Sequence, residues 1–233
     1  CCIHPAGHPE EVQAILDSKC IAITAEDSHR YGSPNCEAAG KQGALFGLES
    51  MLTINGGKGK FVGGFAGAPG MNVLILGGGV VGDMAGFAAS TYMRGLEFGF
   101  VSTTLLGQVD ASVGGKNGVN VGGFKNMVGV FSQPKFVICD VALLHTLPER
   151  EFRAGMAEVI KTAILGDKEL FGILEQSSFE ALRKDDALLE SVIARCIRVK
   201  ANVVAQDERE GGLRRILNLG HTIAHAIEKC SQR

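Results

Sequence analysis

An apolar run, Met71-Asn-Val-Leu-Ile-Leu76, leads directly into Gly77-Gly-Gly79-Val-Val-Gly82-Asp83. A short apolar run bounded by turn formers predicts a buried strand. Met84–Met93 supplies the helix that follows. Between them the turn satisfies Gly-x-Gly-x-x-Gly, which permits a tight reversal and lets backbone N–H groups approach a pyrophosphate at the helix start. A helix terminus contributes only about 0.3–1 kcal/mol toward an anion at an exposed site, so other contacts must supply most of the affinity for such a ligand. A plain strand-to-helix turn in a Gly-rich protein reads the same way, and context has to separate the two.

Cys20-Ile-Ala-Ile-Thr24 and Lys135-Phe-Val-Ile-Cys-Asp140 are similar short apolar runs, as expected of strands in a parallel sheet with helices between them. Most of the 32 glycines fall between Gly40 and Gly155. Beyond that point glycine is scarce, and Glu151–Leu165, Asp186–Asp207 and Leu213–Cys230 each repeat apolar residues every three or four positions. The second half therefore reads as helices. The shift places a boundary near Leu147-Pro148, with Pro able to occupy the first turn of a following helix. This divides the chain into an α/β part, 1–147, and the start of an all-α part, 148–233.

A net charge of −2 gives no support for binding nucleic acid or an anionic membrane surface. The uncharged stretch 61–82 is too rich in Gly, with Pro69 and Asn72 inside it, to be a lipid-facing helix. No secretory signal pattern opens the chain. Seven cysteines, an odd number without a Cys-x-x-Cys pair, fit a reducing cytosol better than a disulfide framework or a zinc knuckle. The chain starts at Cys1 and stops at Arg233 where a helix would be ending, so it reads as a fragment.

Three polar clusters remain. Thr103-Thr104, Asp110, the stretch 112–120 with Lys116, and Lys125-Asn126 put hydroxyls, amides and two Lys on Gly-rich backbone. That is the composition of an anion-binding surface, and also of a solvated loop. Glu158 and Lys161 are three apart and share a helix face, while Lys200 interrupts the apolar stripe Ile193, Cys196, Val203. A Lys so placed must either meet an anion or extend its amine along the stripe's edge to water. Finally, Arg214, Asn218, His221 and His225 follow at spacings of four, three and four, with Ile, Leu and Ala covering most of the remaining circumference. As one continuous helix this would be apolar nearly all round and would belong in an interior, its polar stripe lining a cleft; a wet outer face is the alternative. His221 and His225 do not make a metalloprotease helix, because Thr222 stands where that motif needs Glu.

Taken in order, Gly77–Ser90, Tyr92–Gly95, Ser102–Asn120, Lys125-Asn126, Leu147–Lys161 and Lys200–Glu228 resemble the 3-dehydroquinate synthase family, over roughly Met71 to Arg233. The resemblance implies a Rossmann-like parallel sheet followed by a helical domain. It also implies conversion of 3-deoxy-D-arabino-heptulosonate 7-phosphate to 3-dehydroquinate in the shikimate route. In that chemistry NAD oxidises a ring hydroxyl, phosphate is eliminated, the ketone is reduced again and the opened ring closes by an aldol step. Carried onto this sequence, Gly78, Gly79, Val80 and Asp83 would hold NAD, with Lys125 and Leu143, Leu144, His145 and Thr146 as further cofactor contacts. Glu158 and His221 match two ligands of a Zn2+ (or Co2+) ion that acts as Lewis acid. The substrate's anionic groups would meet Lys116, Asn126, Lys161, Lys200, Arg214 and Asn218, with Thr103, Thr104 and Asp110 nearby. Lys161, Glu210 and His225 match catalytic positions, the last two in proton transfer. Arg94 matches a residue that crosses a dimer interface, so a homodimer in the cytoplasm is expected.

The resemblance has gaps. The family's third metal ligand, a His in a His-Gly-Glu segment, is absent from these residues. Loss of even a supporting partner costs about 10–100-fold in metal affinity or activity, so the chain as given is expected to be inactive or nearly so. Thr24-Ala25-Glu26-Asp27 stands where the family has Thr-Asp-x-Asn, Cys36-Glu37-Ala-Ala-Gly-Lys41 where it has Gly-Glu-x-x-Lys, and Ala154 where some members have Asn. Related cyclases making inosose or valiolone rings act on substrates without the carboxylate; retention of Lys200, Arg214 and Asn218 favours the carboxylated one. A metal-dependent polyol dehydrogenase and an inactive NAD-binding fragment are the remaining rivals.

Overall fold

The β-branched and leucine-rich run after Met71 forms strand β1, Asn72–Gly77. It is followed by α1, Val80–Thr91, and β2, Glu97–Ser102. This architecture comes from a computed structural model that describes residues 72–121 and 124–230; the side chains of Lys125 and His225 lie outside what it describes, as do the expected strand 20–24 and the segments 24–27 and 36–41. Strand β1 pairs parallel to β2 in the register Asn72↔Glu97 to Gly77↔Ser102. A further strand, β5 (Val137–Cys139), pairs parallel to the other edge of β2, from Phe100↔Val137 to Ser102↔Cys139. The sheet order is β1-β2-β5. Parallel neighbours need a crossover, and α1 supplies it, burying Ala85 and Ala89 against Ile75, Phe98 and Phe100. Among the described residues, then, the expected α/β arrangement with a parallel sheet is what forms.

The Gly-rich stretch around Lys116 is not a loop. It forms strand β3, Lys116–Val121, paired antiparallel with β4, Phe124–Phe131. Helix α1 lies so close to this hairpin that a Cβ at Gly86 would come within 2.2 Å of Asn117 Oδ1. Asn117 is buried and closes the hairpin base, its Nδ2 donating to the carbonyls of Gly115 and Ser132 at 3.1 and 2.8 Å.

After β5 the chain becomes helical: α2 (Glu149–Gly166), α3 (Lys168–Gln176), α4 (Phe179–Lys184) and α5 (Asp186–Gln206). Pro148 sits at the cap, one residue ahead of the first turn. The next three helices start on local side-chain caps: Asp167, Ser178 and Asp185 accept from the N–H of Leu170, Ala181 and Leu188 at 2.9, 3.1 and 3.0 Å. Such caps satisfy donors that the helix itself cannot. Leu105 and Val109, from the turn after β2, enter the same apolar core as Phe152, Val159, Leu189 and Val192, which joins the sheet to the helices. No helix among the described residues is long and apolar enough to cross a membrane.

One expected element divides. Leu213–Asn218 is a 3-10 helix; Leu219 is extended (φ −53°, ψ 125°), Gly220 turns at φ +83°, and α6 begins only at His221 and runs to Cys230. Gly220 takes a backbone conformation that side chains with a Cβ resist. Arg214, Asn218, His221 and His225 therefore do not form one helical stripe. Nor is α6 interior: Ile223 is 70% exposed and Ile227 63%.

Gly155 in α2 faces Leu105 and Leu106, and a Cβ there would lie 2.7 Å from Leu105 Cβ and 2.8 Å from the Leu106 backbone nitrogen. The backbone atom cannot give way cheaply. Gly155→Ala is expected to destabilise by about 1–3 kcal/mol through overpacking, despite a helix-propensity gain of about 1 kcal/mol. A melting temperature lower by several degrees checks this; an unchanged or higher one contradicts it.

Candidate active site

The carboxyl ends of the three parallel strands carry three of the expected cofactor and substrate segments. Gly77-Gly78-Gly79 ends β1, Thr103-Thr104 follows β2, and Leu143–Thr146 follows β5 through a 3-10 turn, Val141–Leu144. That end of an open parallel sheet is where ligands bind. Gly78 lies against Thr104, where a Cβ would come within 2.1 Å of Oγ1, and Thr104 Oγ1 accepts from the N–H of Gly107 at 3.0 Å. Gly79 adopts φ +51° at the start of α1, and among the described residues beyond its chain neighbours no atom lies within 4 Å of where a Cβ would stand. Val80 and Asp83 form the first turn of that helix. Leu144, by contrast, buries its side chain in the core, and the exposed His145 pairs with Asp186 at 2.8 Å. Arg94, at φ +70°, is exposed in the turn Tyr92–Arg94 at the far end of α1.

Beside the glycine turn lies a cavity of about 400 Å³. Asp83, Asp110, Lys116, Asn126, Lys161, Lys200, Arg214, Asn218 and His221 all line it, with Ala111, Val113 and Leu217. Residues spread over more than a hundred positions of sequence are thus gathered by the π-helical turn Gly107–Ala111, the hairpin, α2, α5 and the segment after it. Arg214, Asn218 and His221 still converge, because the break at Leu219-Gly220 redirects the chain around the cavity.

Lys200 does not extend its amine to water. It is 7% exposed, and Nζ donates to the Asp110 carboxylate at 2.7 Å and to the Asp110 carbonyl at 2.6 Å. Burial works against both charges: it pulls the Lys200 amine down and would raise the Asp110 carboxyl, but the ammonium groups of Lys200 and Lys161 outweigh it and hold Asp110 below the usual carboxylate range. Arg214, 2% exposed, donates from Nη2 to the Gly114 carbonyl at 2.8 Å and from Nη1 to that of Glu208. Gly114 was not singled out in the sequence, yet at φ +104° any Cβ on it would strike that guanidinium at 2.5 Å. Glu210 pairs with Lys116 and accepts from Asn218 Nδ2 at 2.8 Å; the Lys116 contact above all holds its carboxyl below the ordinary range. Asn126 (φ +52°) is anchored through its N–H to Asn120 Oδ1 at 2.9 Å.

Glu158 projects from α2 toward α6. Its Oε2 is ion-paired with Lys161, three residues on, while Oε1 stands 3.4 Å from His221 Nε2.

Two family profiles match in succession: 3-dehydroquinate synthase N-terminal over residues 60–154 and 3-dehydroquinate synthase C-terminal over residues 155–233. The chain belongs to the 3-dehydroquinate synthase family. It is 58% identical over 156 residues to the 3-dehydroquinate synthase of Vibrio atlanticus, covering 67% of this chain and 43% of that one. With the enzyme of Desulforamulus reducens it is 56% identical over 160 residues, 69% of this chain and 45% of that. The chain thus spans less than half the length of these relatives. Solved relatives share the fold. A 2-deoxy-scyllo-inosose synthase complexed with carbaglucose-6-phosphate, NAD+ and Co2+ superposes with TM-score 0.68 at 30% identity, over 82% of this chain and 50% of that one. A 2-epi-5-epi-valiolone synthase from Streptomyces hygroscopicus with NAD+ and Zn2+ bound gives 0.69 at 30% identity, over 93% and 57%.

The family residues suit a divalent cation in part. Two ligands about 2.0–2.2 Å from a tetrahedral zinc lie about 3.3–3.6 Å apart, and Glu158 Oε1 and His221 Nε2 are separated by 3.4 Å. Glu158 Oε2 is buried, and among the described residues its partner is the Lys161 ammonium. Among the described residues no group of three or more His, Cys, Asp or Glu surrounds a single point, so this pair supplies two donors.

Asp83 sits where the glycine turn meets the cavity, and burial, reinforced by the Asp110 charge and only partly offset by Lys200, raises its carboxyl from 3.8 to about 7. The unfolded chain ionises first as pH rises, so this group's contribution to stability falls between 3.8 and about 7 and is constant above. Asp83→Asn is expected to leave stability unchanged near pH 3 and to raise it progressively toward neutral pH, by at most about 4 kcal/mol. Denaturant unfolding across pH 4–8 checks this, and a variant whose advantage shrinks as pH rises contradicts it.

Proposed function

We propose that this chain carries the reaction centre of a 3-dehydroquinate synthase, which converts 3-deoxy-D-arabino-heptulosonate 7-phosphate to 3-dehydroquinate and phosphate. The observation that supports this most is the approach of Glu158 and His221 at the edge of one polar cavity, beside the glycine turn. In this reading the boundary at Leu147-Pro148 separates a nucleotide-binding part, 1–147, from a metal- and substrate-binding part, 148–233. The enzyme works in the cytoplasm as a homodimer in which Arg94, strained and exposed, reaches the neighbouring subunit.

Gly78, Gly79, Val80 and Asp83 would hold NAD, which would supply reversible hydride chemistry, and Glu158 and His221 would hold zinc or cobalt, which would supply a Lewis acid for the reacting oxygen. This chain's own residues do the rest. Lys116, Lys200 and Arg214 carry the positive charge that receives the substrate's phosphate and carboxylate, and Asn126 and Asn218 orient hydroxyls. Each of these cations is already paired with an acid or a carbonyl. A Lys has three donors and an Arg five, so these groups can take a substrate oxygen without abandoning the partner that fixes them. Glu210, kept ionised by Lys116 and bonded to Asn218, both of which line the cavity, serves as a proton acceptor, and His225 completes the transfer. Lys161 neutralises Glu158 and approaches the same substrate oxygen. Asp110 holds Lys200 in place, Thr103 and Thr104 line the approach, and Lys125 with Leu143–Thr146 contact the cofactor, in the buried Leu144 through backbone alone.

Turnover by this chain is expected to be slow at best, because the described residues bring two metal donors together where a catalytic zinc site uses three. Binding is the more direct test. Calorimetry with the heptulosonate phosphate is expected to show Lys200→Ala and Arg214→Ala weakened at least about 10-fold, since each removes a buried charge partner. Any phosphate release should require zinc and vanish in Glu158→Gln. Net accumulation of NADH would favour a dehydrogenase, and affinity indifferent to both substitutions would overturn the assignment.

A further inference from the structure

Asp207 lies in sequence between Lys200 and Arg214 and is not among the residues that line the cavity. It ends α5, the helix bearing Lys200, with its own N–H bonded to the carbonyls of Val203 and Val204 at 3.1 and 3.2 Å. Its carboxylate then folds the next seven residues around itself. Oδ1 accepts from the Gly211 N–H at 2.7 Å, and Oδ2 from those of Gly212 and Arg214 at 2.8 and 2.9 Å. Inside this loop stands Glu210 at φ +61°, a conformation that side chains with a Cβ disfavour, its N–H directed back at the Asp207 carbonyl at 3.4 Å. Just past the loop, Arg214 sends its guanidinium to Gly114. Gly211 and Gly212 bring no side chains, so at these two positions the Asp207 carboxylate is what anchors the backbone.

We infer that Asp207 is a positioning residue for the anion pocket: by gathering three backbone N–H groups at the end of α5, it sets Glu210 and Arg214 at a fixed distance from Lys200. Those N–H bonds, the one from Arg214 foremost, hold its carboxyl below the ordinary range, so the clamp is intact at neutral pH. Charge-assisted bonds to a carboxylate are the strong class of hydrogen bond, and three of them on one group tie Gly211, Gly212 and Arg214 to the end of α5. The inference rests on the proposed reading of the cavity as an anion site.

The test uses the full chain and inorganic phosphate as the probe, with Asp207→Ala and Asp207→Asn. In Asp207→Ala the amides of Gly211, Gly212 and Arg214 are expected to exchange at least about 10-fold faster, while those of α2 and the middle of α5 keep their rates. Exchange of the Arg214 guanidinium protons, slowed by the bond to Gly114, should quicken in parallel. Phosphate affinity, measured where the variant is fully folded, should fall about 10-fold. Asp207→Asn keeps one accepting oxygen and should recover part of each loss; if the Ala variant does not fold, the Asn variant is judged by the same criteria. Loop amides that stay protected would overturn the inference, as would a loosened loop with phosphate affinity within twofold of the parent. Failure of the parent to bind phosphate would count against the anion-site reading alone, with the backbone and Arg214 exchange still deciding whether Asp207 is the clamp.

Discussion

The buried pair of Lys200 and Asp110 is the constraint around which the described structure is arranged. A Lys in an apolar helix stripe is tolerable only with a partner, and the partner comes from the turn after β2, ninety positions earlier in the chain. Joining them forces the helical half onto the carboxyl ends of the parallel strands. That single requirement brings the glycine turn, the hairpin and the segment after α5 around one cavity. Helix α2 follows because Gly155 allows it to approach Leu105 and Leu106 closely, and its position sets Glu158 opposite His221.

A second regularity concerns strain. Among the described residues three non-glycine positions have positive φ: Arg94, Asn126 and Glu210. All three carry expected functional roles, and two line the cavity or contact its lining. Strained backbone persists only where surrounding structure over-determines it. Asn126 is held by the Asn120 side chain, and Glu210 by Lys116, Asn218 and the Asp207 loop. The site is preorganised in this sense: its charges are paired and its backbone constrained before any ligand arrives, which reduces what must be ordered on binding.

Much of this was legible in the order of residues. The strand–glycine turn–helix unit, the parallel sheet and the helices α2 and α5 follow from local periodicity and turn chemistry, which act over a few residues. The chemistry-bearing residues were legible by type and by family likeness. Three features were not. The stretch 112–120, rich in Gly and Asn, left an anion-binding surface and a solvated loop both open, and hydrogen bonding of Lys116–Val121 to the strand 124–131 makes its second half one arm of a hairpin. The segment 213–230 read as one helix because its apolar spacing is helical throughout, and the positive φ at Gly220 leaves no periodic trace. Lys200 had two outcomes open, and only the position of Asp110 selects between them.

By itself, then, the sequence determined the strand–glycine turn–helix unit, the helices α2 and α5, the family and the inventory of charged and imidazole groups, because these depend on nearest neighbours and on side-chain identity. Only the tertiary structure decided which of those groups meet. Pairing energies between buried charges depend on separations of a few ångströms between residues far apart in the chain, and no spacing along the chain encodes such a distance. The 3.4 Å between Glu158 and His221, the clamp of Asp207 on its loop and the burial of Lys200 against Asp110 exist only once the chain is folded.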